Sequence, residues 1–171
     1  MNPSTEDILS AVNKTPAETV YILPNNKNII MAAQQCAPLS EKKVVIIPTK
    51  TVPQGISAML AFEPTMTETE ITAAMEDAVA NVHTVQITYA ARDSVFDGHT
   101  IKAGEYLALL ESALIANGAD FDEVMEKVHT ALSQFAPEIT TSFYGADVSQ
   151  QEAEKTHALL TDFFPDAETT L

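Results

Sequence analysis

The chain has 171 residues, of which 46% are hydrophobic, so it can bury one core of ordinary size or two small lobes. Its formal net charge is −15, and such an acidic surface makes nucleic acid a poor partner. Its single cysteine, Cys36, rules out an intrachain disulfide and argues against a cysteine-based zinc site. No apolar run approaches the ~20 residues that a membrane-spanning helix needs, and the polar start MNPSTEDIL lacks the pattern of a secretory signal, so we expect a cytoplasmic protein.

The first third of the sequence predicts a parallel βαβ unit. Ser4 or Thr5 can cap an opening helix, because a hydroxyl oxygen there accepts a hydrogen bond from a free backbone N–H group. Two short apolar runs at 20–23 and 44–47 are typical of buried parallel strands, and a helix is predicted between them at 29–37. Strand, helix and strand in this order form a right-handed crossover.

Each of these strands ends in a polar loop, PNNKN at 24–28 and PTKTVPQG at 48–55. Because the carboxyl ends of parallel strands meet at one sheet edge, we expect both loops, with Lys27 and Lys50, to lie together beside free helix N-termini. Such an edge suits an anion, a carboxylate or a partner, although ordinary capping and turn chemistry explains the same residues. The candidate residues are Asn25, Asn26, Lys27, Asn28, Thr49, Lys50, Thr51, Gln54 and Gly55.

A change of charge marks the predicted boundary between two lobes. Residues 1–65 hold five Lys and five Asp or Glu, whereas residues 66–171 hold four Lys or Arg and nineteen Asp or Glu. We therefore assign residues 1–66 to the βαβ part of a first lobe and residues 67–171 to an acidic second α/β lobe. The acidic side chains either keep the helices soluble or form a docking face for a basic protein surface.

The acidic part of the chain is predicted to mix helices and strands. Thr67 with Glu70, and later Ser149 with Glu152, have the spacing of a capping box at a helix start. Asp97-Gly98 is typical of a hairpin turn. The predicted helices are 68–80, 105–116, 121–134 and 150–164, and the predicted strands are 83–91, 99–101, 139–144 and 167–171.

Motifs for nucleotide binding and for common hydrolytic chemistry are missing from the sequence: GxGxxG, a Walker loop, HExxH and GxSxG are all absent. The four histidines are far apart and lack a second ligand at metal-binding spacing. Asp93 and Asp97 flank a turn, where stabilising the turn is favoured over binding a cation. Cys36 falls on the apolar face of a predicted helix and is interpreted as a buried thiol.

Four stretches of the sequence carry a family resemblance: MNPSTEDIL, YILPNNKNIIMAA, VVIIPTKTVPQGISAMLAF and ITYAARDSVFDG. They resemble the C-terminal region of the large, dihydroxyacetone kinase-like subunit of bacterial fatty acid kinase, and the resemblance runs along nearly the whole chain. It implies a DegV-like α/β fold, in which a parallel βαβ lobe is followed by a second α/β lobe. It also implies that both lobes are incomplete at the chain ends, because the family has further segments on either side.

In the family that the chain resembles, a separate N-terminal domain binds ATP and magnesium and phosphorylates the carboxylate of a fatty acid that a DegV-type subunit holds. The resemblance therefore implies no cofactor for this chain itself. DegV carriers hold the carboxylate with hydroxyls from two loops. One loop corresponds to PNNKN, which has no hydroxyl, and the other to MNPST, where Ser4 and Thr5 remain, so half of the clamp is missing.

These observations lead to one principal hypothesis and two alternatives. The principal hypothesis is a non-catalytic domain, inactive alone, that recruits the DegV-type acyl-carrying subunit so that a separate ATP-binding domain can phosphorylate its fatty acid. One alternative is a carrier domain that holds an acyl chain itself, between its lobes. The other is an enzyme that acts through Lys50, for which the sequence shows no partner base. A homodimer is left open.

Overall fold

The computed structural model describes residues 2–96 and 98–171. The chain divides into two units, residues 1–84 and residues 85–171. A short 3-10 turn, Ala37–Leu39, lies in the first unit. The helices and strands of that unit are α1 (Thr5–Lys14), β1 (Thr19–Ile22), α2 (Lys27–Cys36), β2 (Lys43–Ile46), α3 (Val52–Leu60) and α4 (Glu68–Ala80).

The parallel strands β1 and β2 form the centre of the first unit. Thr19 lies opposite Lys43 and Ile22 opposite Ile46, so the predicted strand–helix–strand order with parallel strands is confirmed. Successive side chains of a strand point to opposite faces, and the strands therefore contribute to two apolar clusters, one against α1 and α2 and one against α3 and α4. The strand residues of the first cluster are Val20, Ile22, Val44 and Ile46. The second cluster contains the strand residues Tyr21 and Val45, together with Leu23 and Ile47, which directly follow the two strands.

Helix α4 belongs to the first unit. Its side chains Ile71 and Met75 are buried in one cluster with Ile47 and Ala58, and the unit extends to Thr84. The charge pattern of the sequence predicts a boundary between residues 66 and 67, which places this helix in the second lobe. The two boundaries differ because the acidic side chains of α4 are on its solvent side, whereas its apolar side decides where the helix packs.

Two helices of the first unit begin with a capping box. Ser4 with Asp7 at the start of α1, and Thr67 with Glu70 at the start of α4, each satisfy two backbone N–H groups reciprocally. The hydrogen bonds that the carboxylates accept from the Ser4 and Thr67 hydroxyls and backbones lower the pKa of Asp7 and of Glu70. The helix predicted at 68–80 is confirmed with the same bounds.

A lysine side chain closes the other end of α1. Lys42 Nζ donates to the carbonyl oxygens of Val12 at 3.1 Å and Asn13 at 3.0 Å, and also to that of Thr15. The last carbonyls of a helix have no partner within the helix, and a cation there also complements the helix dipole. Lys42 therefore fixes α1 to the start of β2.

The elements of the second unit are β3 (Val85–Tyr89), β4 (Ser94–Phe96), β5 (His99–Ile101), β6 (Tyr106–Leu110), β7 (Ala113–Gly118), α5 (Phe121–Ser133), β8 (Ile139–Thr141), α6 (Gln150–Phe163) and β9 (Glu168–Thr170). Over the described residues, the strands form three small sheets. A three-stranded antiparallel sheet has the order β3–β6–β7, β4 and β5 form a hairpin, and β8 and β9 pair in parallel. Helix α6 connects β8 to β9, in the strand–helix–strand order that the sequence predicts for this part of the chain.

Two turn and cap predictions in this unit can be compared with the structure. Ser149 and Glu152 form the predicted capping box of α6. Gly98 has a φ of 83° between β4 and β5, whereas Asp97, the other residue of the predicted hairpin turn, lies outside the described residues. Asp93 accepts a hydrogen bond from the Ala103 backbone N–H at 2.7 Å, which is a structural role beside that hairpin.

The helix predicted at 105–116 is wrong, because these residues form the hairpin of β6 and β7. Leu110 pairs with Ala113, so the turn has two residues, Glu111 and Ser112, with φ values of 51° and 80°. Positive φ at both positions is the signature of a type I′ turn. Leu and Ala favour a helix, but here the strands are held by β3 on one side and by α5 across the face, where Ala108 is fully buried.

Within the described residues, no helix is long and apolar enough to cross a membrane. Among the same residues there is also no group of three or more His, Cys, Asp or Glu side chains that could hold a metal ion. Cys36 is fully buried in the first unit, as predicted. Burial raises the pKa of its thiol, which keeps the reactive thiolate form scarce.

The contact of Lys42 with the end of α1 predicts a loss of stability on its removal. Lys42→Met removes the ammonium group that donates to three carbonyls at the end of α1, and we expect the free energy of unfolding in urea to fall by about 1–2 kcal/mol. Lys14→Met, in the exposed last turn of the same helix, is the matched control and should cost less than about 0.5 kcal/mol. Equal losses in both variants would contradict the capping role.

The β6–β7 turn predicts a gain of stability from glycine. Ser112→Gly relieves a positive φ and should raise the free energy of unfolding by about 0.5–1 kcal/mol. A helix at 105–116 would instead lose about 1 kcal/mol from the same change, so urea unfolding distinguishes the two structures. Ala113→Gly, in the neighbouring strand, is the control and is expected to lose stability.

Candidate partner-binding edge

The two polar loops lie at the same edge of the β1–β2 sheet and are joined there by hydrogen bonds. The Ile47 backbone N–H donates to the Ile22 carbonyl at 3.0 Å. Two residues further on, the Thr49 hydroxyl donates to the Pro24 carbonyl oxygen. Both Thr49 and Pro24 are buried. The hydroxyl of Thr49 therefore ties the PTKTVPQG loop to the PNNKN loop and is not available to a ligand.

The rest of the PTKTVPQG loop is held to the end of the first unit by side chains. Gln54, which is 6% exposed, accepts a hydrogen bond from the Lys50 backbone N–H at 2.8 Å and donates to the Val82 carbonyl at 3.3 Å. The Thr51 hydroxyl lies 2.8 Å from the Thr84 hydroxyl and also caps α3 through the Gln54 backbone N–H at 3.3 Å. These side chains shape the loop and hold it in place.

The PNNKN loop uses one asparagine for structure and exposes the others. The Asn26 side chain caps α2 by accepting from the Asn28 backbone N–H at 2.8 Å. Asn25, Lys27 and Asn28 have exposed side chains. This loop therefore offers amides and one ammonium group to solvent, and no hydroxyl.

Gly55 lies in the first turn of α3. Its backbone N–H donates to the Thr51 carbonyl at 3.2 Å, so it makes an ordinary helical hydrogen bond. A Cβ built at Gly55 would meet the Leu23 Cβ at 3.9 Å, an ordinary contact distance. The position does not require glycine for space, and its amide is not free for an anion.

Ser4 and Thr5 make their contacts elsewhere in the first unit. Ser4 is used in the capping box of α1. The Thr5 hydroxyl donates to the Gln35 side-chain oxygen at 3.3 Å, and Gln35 is in the last turn of α2, the end opposite the cap Asn26. Among the described contacts, none joins these two residues to either loop.

Lys50 is exposed, as is Lys27. A lysine becomes a nucleophile when it is desolvated or placed beside another cation, and an exposed side chain lacks the first condition. The edge therefore presents two solvated cations beside amides, which suits the recognition of carboxylates on a partner and gives no support for covalent catalysis.

The structure also shows a feature that the sequence did not reveal. Helix α3 buries Gln54 and Ala58, but its other side exposes a stripe of large apolar side chains. We call this set the α3 stripe. It consists of Val52, Ile56, Met59 and Leu60. The spacing was visible in the sequence, where it is equally typical of a helix side that faces the core.

The tie between the two loops predicts that Thr49 matters for stability. Thr49→Val keeps the shape and removes the donor to the Pro24 carbonyl, so the free energy of unfolding in urea should fall by about 1–3 kcal/mol. Thr49→Ser keeps the hydroxyl and loses a methyl group, and it should retain most of the stability. If Thr49→Val were as stable as the parent chain, the hydroxyl would be free for another role.

Sequence comparison finds a family and relatives that match nearly the whole chain. Residues 1–171 match the family model of the FakA-like C-terminal region of fatty acid kinase. Protein YloV of Bacillus subtilis (strain 168) is 41% identical over 171 residues, which are 100% of this chain and 31% of that protein. An uncharacterized protein of Staphylococcus aureus (strain USA300) is 37% identical over 169 residues, 98% of this chain and 31% of that protein. The chain thus spans about a third of the length of these relatives.

A solved structure shares the fold at low sequence identity. The Streptococcus pneumoniae fatty acid kinase (Fak) B3 protein loaded with linoleic acid superposes with a TM-score of 0.69 and 10% identity, covering 98% of this chain and 68% of that chain. The DegV-like α/β fold implied by the family resemblance is therefore confirmed. On the full-length family match, this chain belongs to the FakA-like C-terminal family of fatty acid kinase.

Proposed function

We propose that this chain is a non-catalytic binding domain that recruits the acyl-carrying, DegV-type subunit of a fatty acid kinase. The bound fatty acid of that subunit would then be phosphorylated on its carboxylate by a separate domain that binds ATP and magnesium. In this account the chain holds the acyl-carrying subunit near the ATP-binding domain. Holding two reactants in a productive arrangement raises the rate of the reaction between them.

One observation carries the proposal. The two loops that correspond to a carrier's carboxylate clamp offer no uncommitted hydroxyl. The PNNKN loop has none, Ser4 is used in the capping box of α1, and Thr5 donates to Gln35. The Thr49 hydroxyl at the same sheet edge as PNNKN donates to the Pro24 carbonyl in the interior. A shared fold does not imply a shared site, so the likeness to an acyl-loaded protein supports a related architecture more than it supports acyl binding by this chain.

The acidic second unit offers a further contribution to docking. Residues 85–171 hold four Lys or Arg and fifteen Asp or Glu. Charges of one sign on such a surface steer a partner of opposite sign and are screened by salt. Binding that depends on this surface should weaken as the salt concentration rises.

A carrier function is the second candidate, and the structural neighbour favours it. That protein is loaded with linoleic acid, and the present chain has the same fold over nearly its whole length. In this alternative the chain itself holds an acyl chain, and the exposed cations Lys27 and Lys50 would pair with the carboxylate in place of hydroxyls.

A binding measurement tests the proposal. The purified chain is titrated with the acyl-loaded DegV-type subunit at low and at high salt. The same titration with the acyl-free subunit shows whether binding depends on the fatty acid. We expect a complex whose affinity falls at high salt. The absence of a complex at every salt concentration would refute recruitment.

Native mass spectrometry distinguishes the carrier function from recruitment without a bound acyl chain. We expect the chain produced in bacteria to have the mass of the polypeptide alone. A mass increased by one fatty acid, lost in Lys27→Met/Lys50→Met, would establish the carrier function instead.

A further inference from the structure

The four residues that connect the two units of the chain are held by side chains of the PTKTVPQG loop. Helix α4 ends at Ala80, and β3 begins at Val85, the first residue of the second unit. We call residues 81–84 the connector. A short segment between two regular elements is where a chain absorbs changes of backbone angle most easily, so the contacts that fix it decide how far it can bend.

Gln54 joins the loop to the connector through both ends of its side-chain amide. The oxygen accepts from the Lys50 backbone N–H at 2.8 Å, and the nitrogen donates to the Val82 carbonyl at 3.3 Å. Only 6% of Gln54 is exposed, so water competes little for these bonds. Because both bonds belong to one planar amide, a movement of the Lys50 backbone also changes the bond to the connector.

A second link joins the last residue of the connector to the start of α3. Thr51 Oγ1 lies 2.8 Å from Thr84 Oγ1, and both side chains are half-buried. The same Thr51 oxygen accepts from the Gln54 backbone N–H at 3.3 Å as the N-cap of α3. Together with the bond to Val82, this link fixes the connector at two points to one short segment of the loop.

The segment that holds the connector also has a side that faces solvent. Lys50 has an exposed side chain, although its backbone N–H is bonded to Gln54, and Val52 is 56% exposed. The start of the loop is anchored, because the Thr49 hydroxyl donates to the Pro24 carbonyl. A molecule that contacts the outer side chains therefore acts on the part of the loop to which the connector is attached.

We propose that Thr51 and Gln54 act as a clamp on the connector, and that this clamp restricts how freely the second unit moves on the first. The clamp is closed in the structure, where both links are made. When it opens, the connector loses the two side-chain links that hold it to the loop. Because coupling between two parts of a molecule works in both directions, the connector also stabilises the loop. The inference does not depend on which molecule binds at the loop edge.

Hydrogen–deuterium exchange of the whole chain tests the clamp from the side of the connector. Thr84→Val keeps the shape of the side chain and leaves Thr51 in place as the cap of α3, but removes the link between the two hydroxyls. We expect exchange to become about three- to tenfold faster in residues 81–84 and also in residues 48–55, since the net contribution of one hydrogen bond corresponds to this range.

A second variant and a matched control complete the series. Gln54→Met removes both bonds of the amide and should speed exchange further in the same two segments. Thr169→Val removes a hydroxyl pair of the same kind, the one with Thr161 at 2.9 Å in the second unit, and should leave exchange in both segments unchanged. Circular dichroism and urea unfolding verify that each variant is folded.

A distance measurement follows the units themselves. Spin labels at Ser10→Cys and Glu126→Cys, which are exposed positions on α1 and α5, report the distribution of distances between the two units. Cys36 is fully buried and therefore takes up little label. We expect a broader distribution in both clamp variants than in the parent chain, and an unchanged one in the control.

The outcomes separate a clamp from a merely local structural role. Faster exchange in both segments together with a broader distance distribution supports the clamp. If exchange in residues 81–84 is unchanged in both folded clamp variants, the links do not hold the connector and the inference is wrong. Faster exchange with a distribution of unchanged width limits the links to local structure and also overturns it, as do equal effects in Thr169→Val. None of these measurements involves the acyl-carrying subunit, so the proposed function is tested separately.

Discussion

The parallel pairing of β1 with β2 determines where the other parts of the first unit lie. Two strands of four residues each supply side chains to both faces, so two helices must cover each face. The same pairing brings the ends of both strands to one edge, where the Thr49 hydroxyl donates to the Pro24 carbonyl. The loops are therefore part of the folded core, and only their outer side chains remain for a partner.

This constraint leaves few free polar groups at the sheet edge, although the fold is shared with an acyl-loaded protein. At the sheet edge, the side chains of Thr49, Thr51, Gln54 and Asn26 make hydrogen bonds within the chain. The groups that remain exposed in this region are the side chains of Lys27 and Lys50 in the loops and the apolar stripe of α3. A surface of this kind suits a protein better than a small ligand, because its apolar side chains are exposed and few of its polar groups converge.

The parts of the fold that depend on local hydrogen bonds could be predicted from the sequence. The capping boxes of α4 and α6 fix those helices within a few residues, and the parallel strands follow from their apolar runs. The hairpin at 105–116, where the sequence predicts a helix, could not be recognised, because neither Glu111 nor Ser112 signals the positive φ that the turn requires. The α3 stripe was equally hidden, since an apolar helix side looks the same in sequence whether it faces a core or a partner.

The central claim of the proposed function is that the chain recruits the acyl-carrying subunit through its own surface and holds no acyl chain itself. Hydrogen–deuterium exchange, measured on the chain alone and in the presence of the acyl-loaded subunit, tests it without any substitution. At a saturating excess of the subunit, the account predicts slower exchange in one or more surface segments of the chain. No change in exchange anywhere in the chain under these conditions would contradict it.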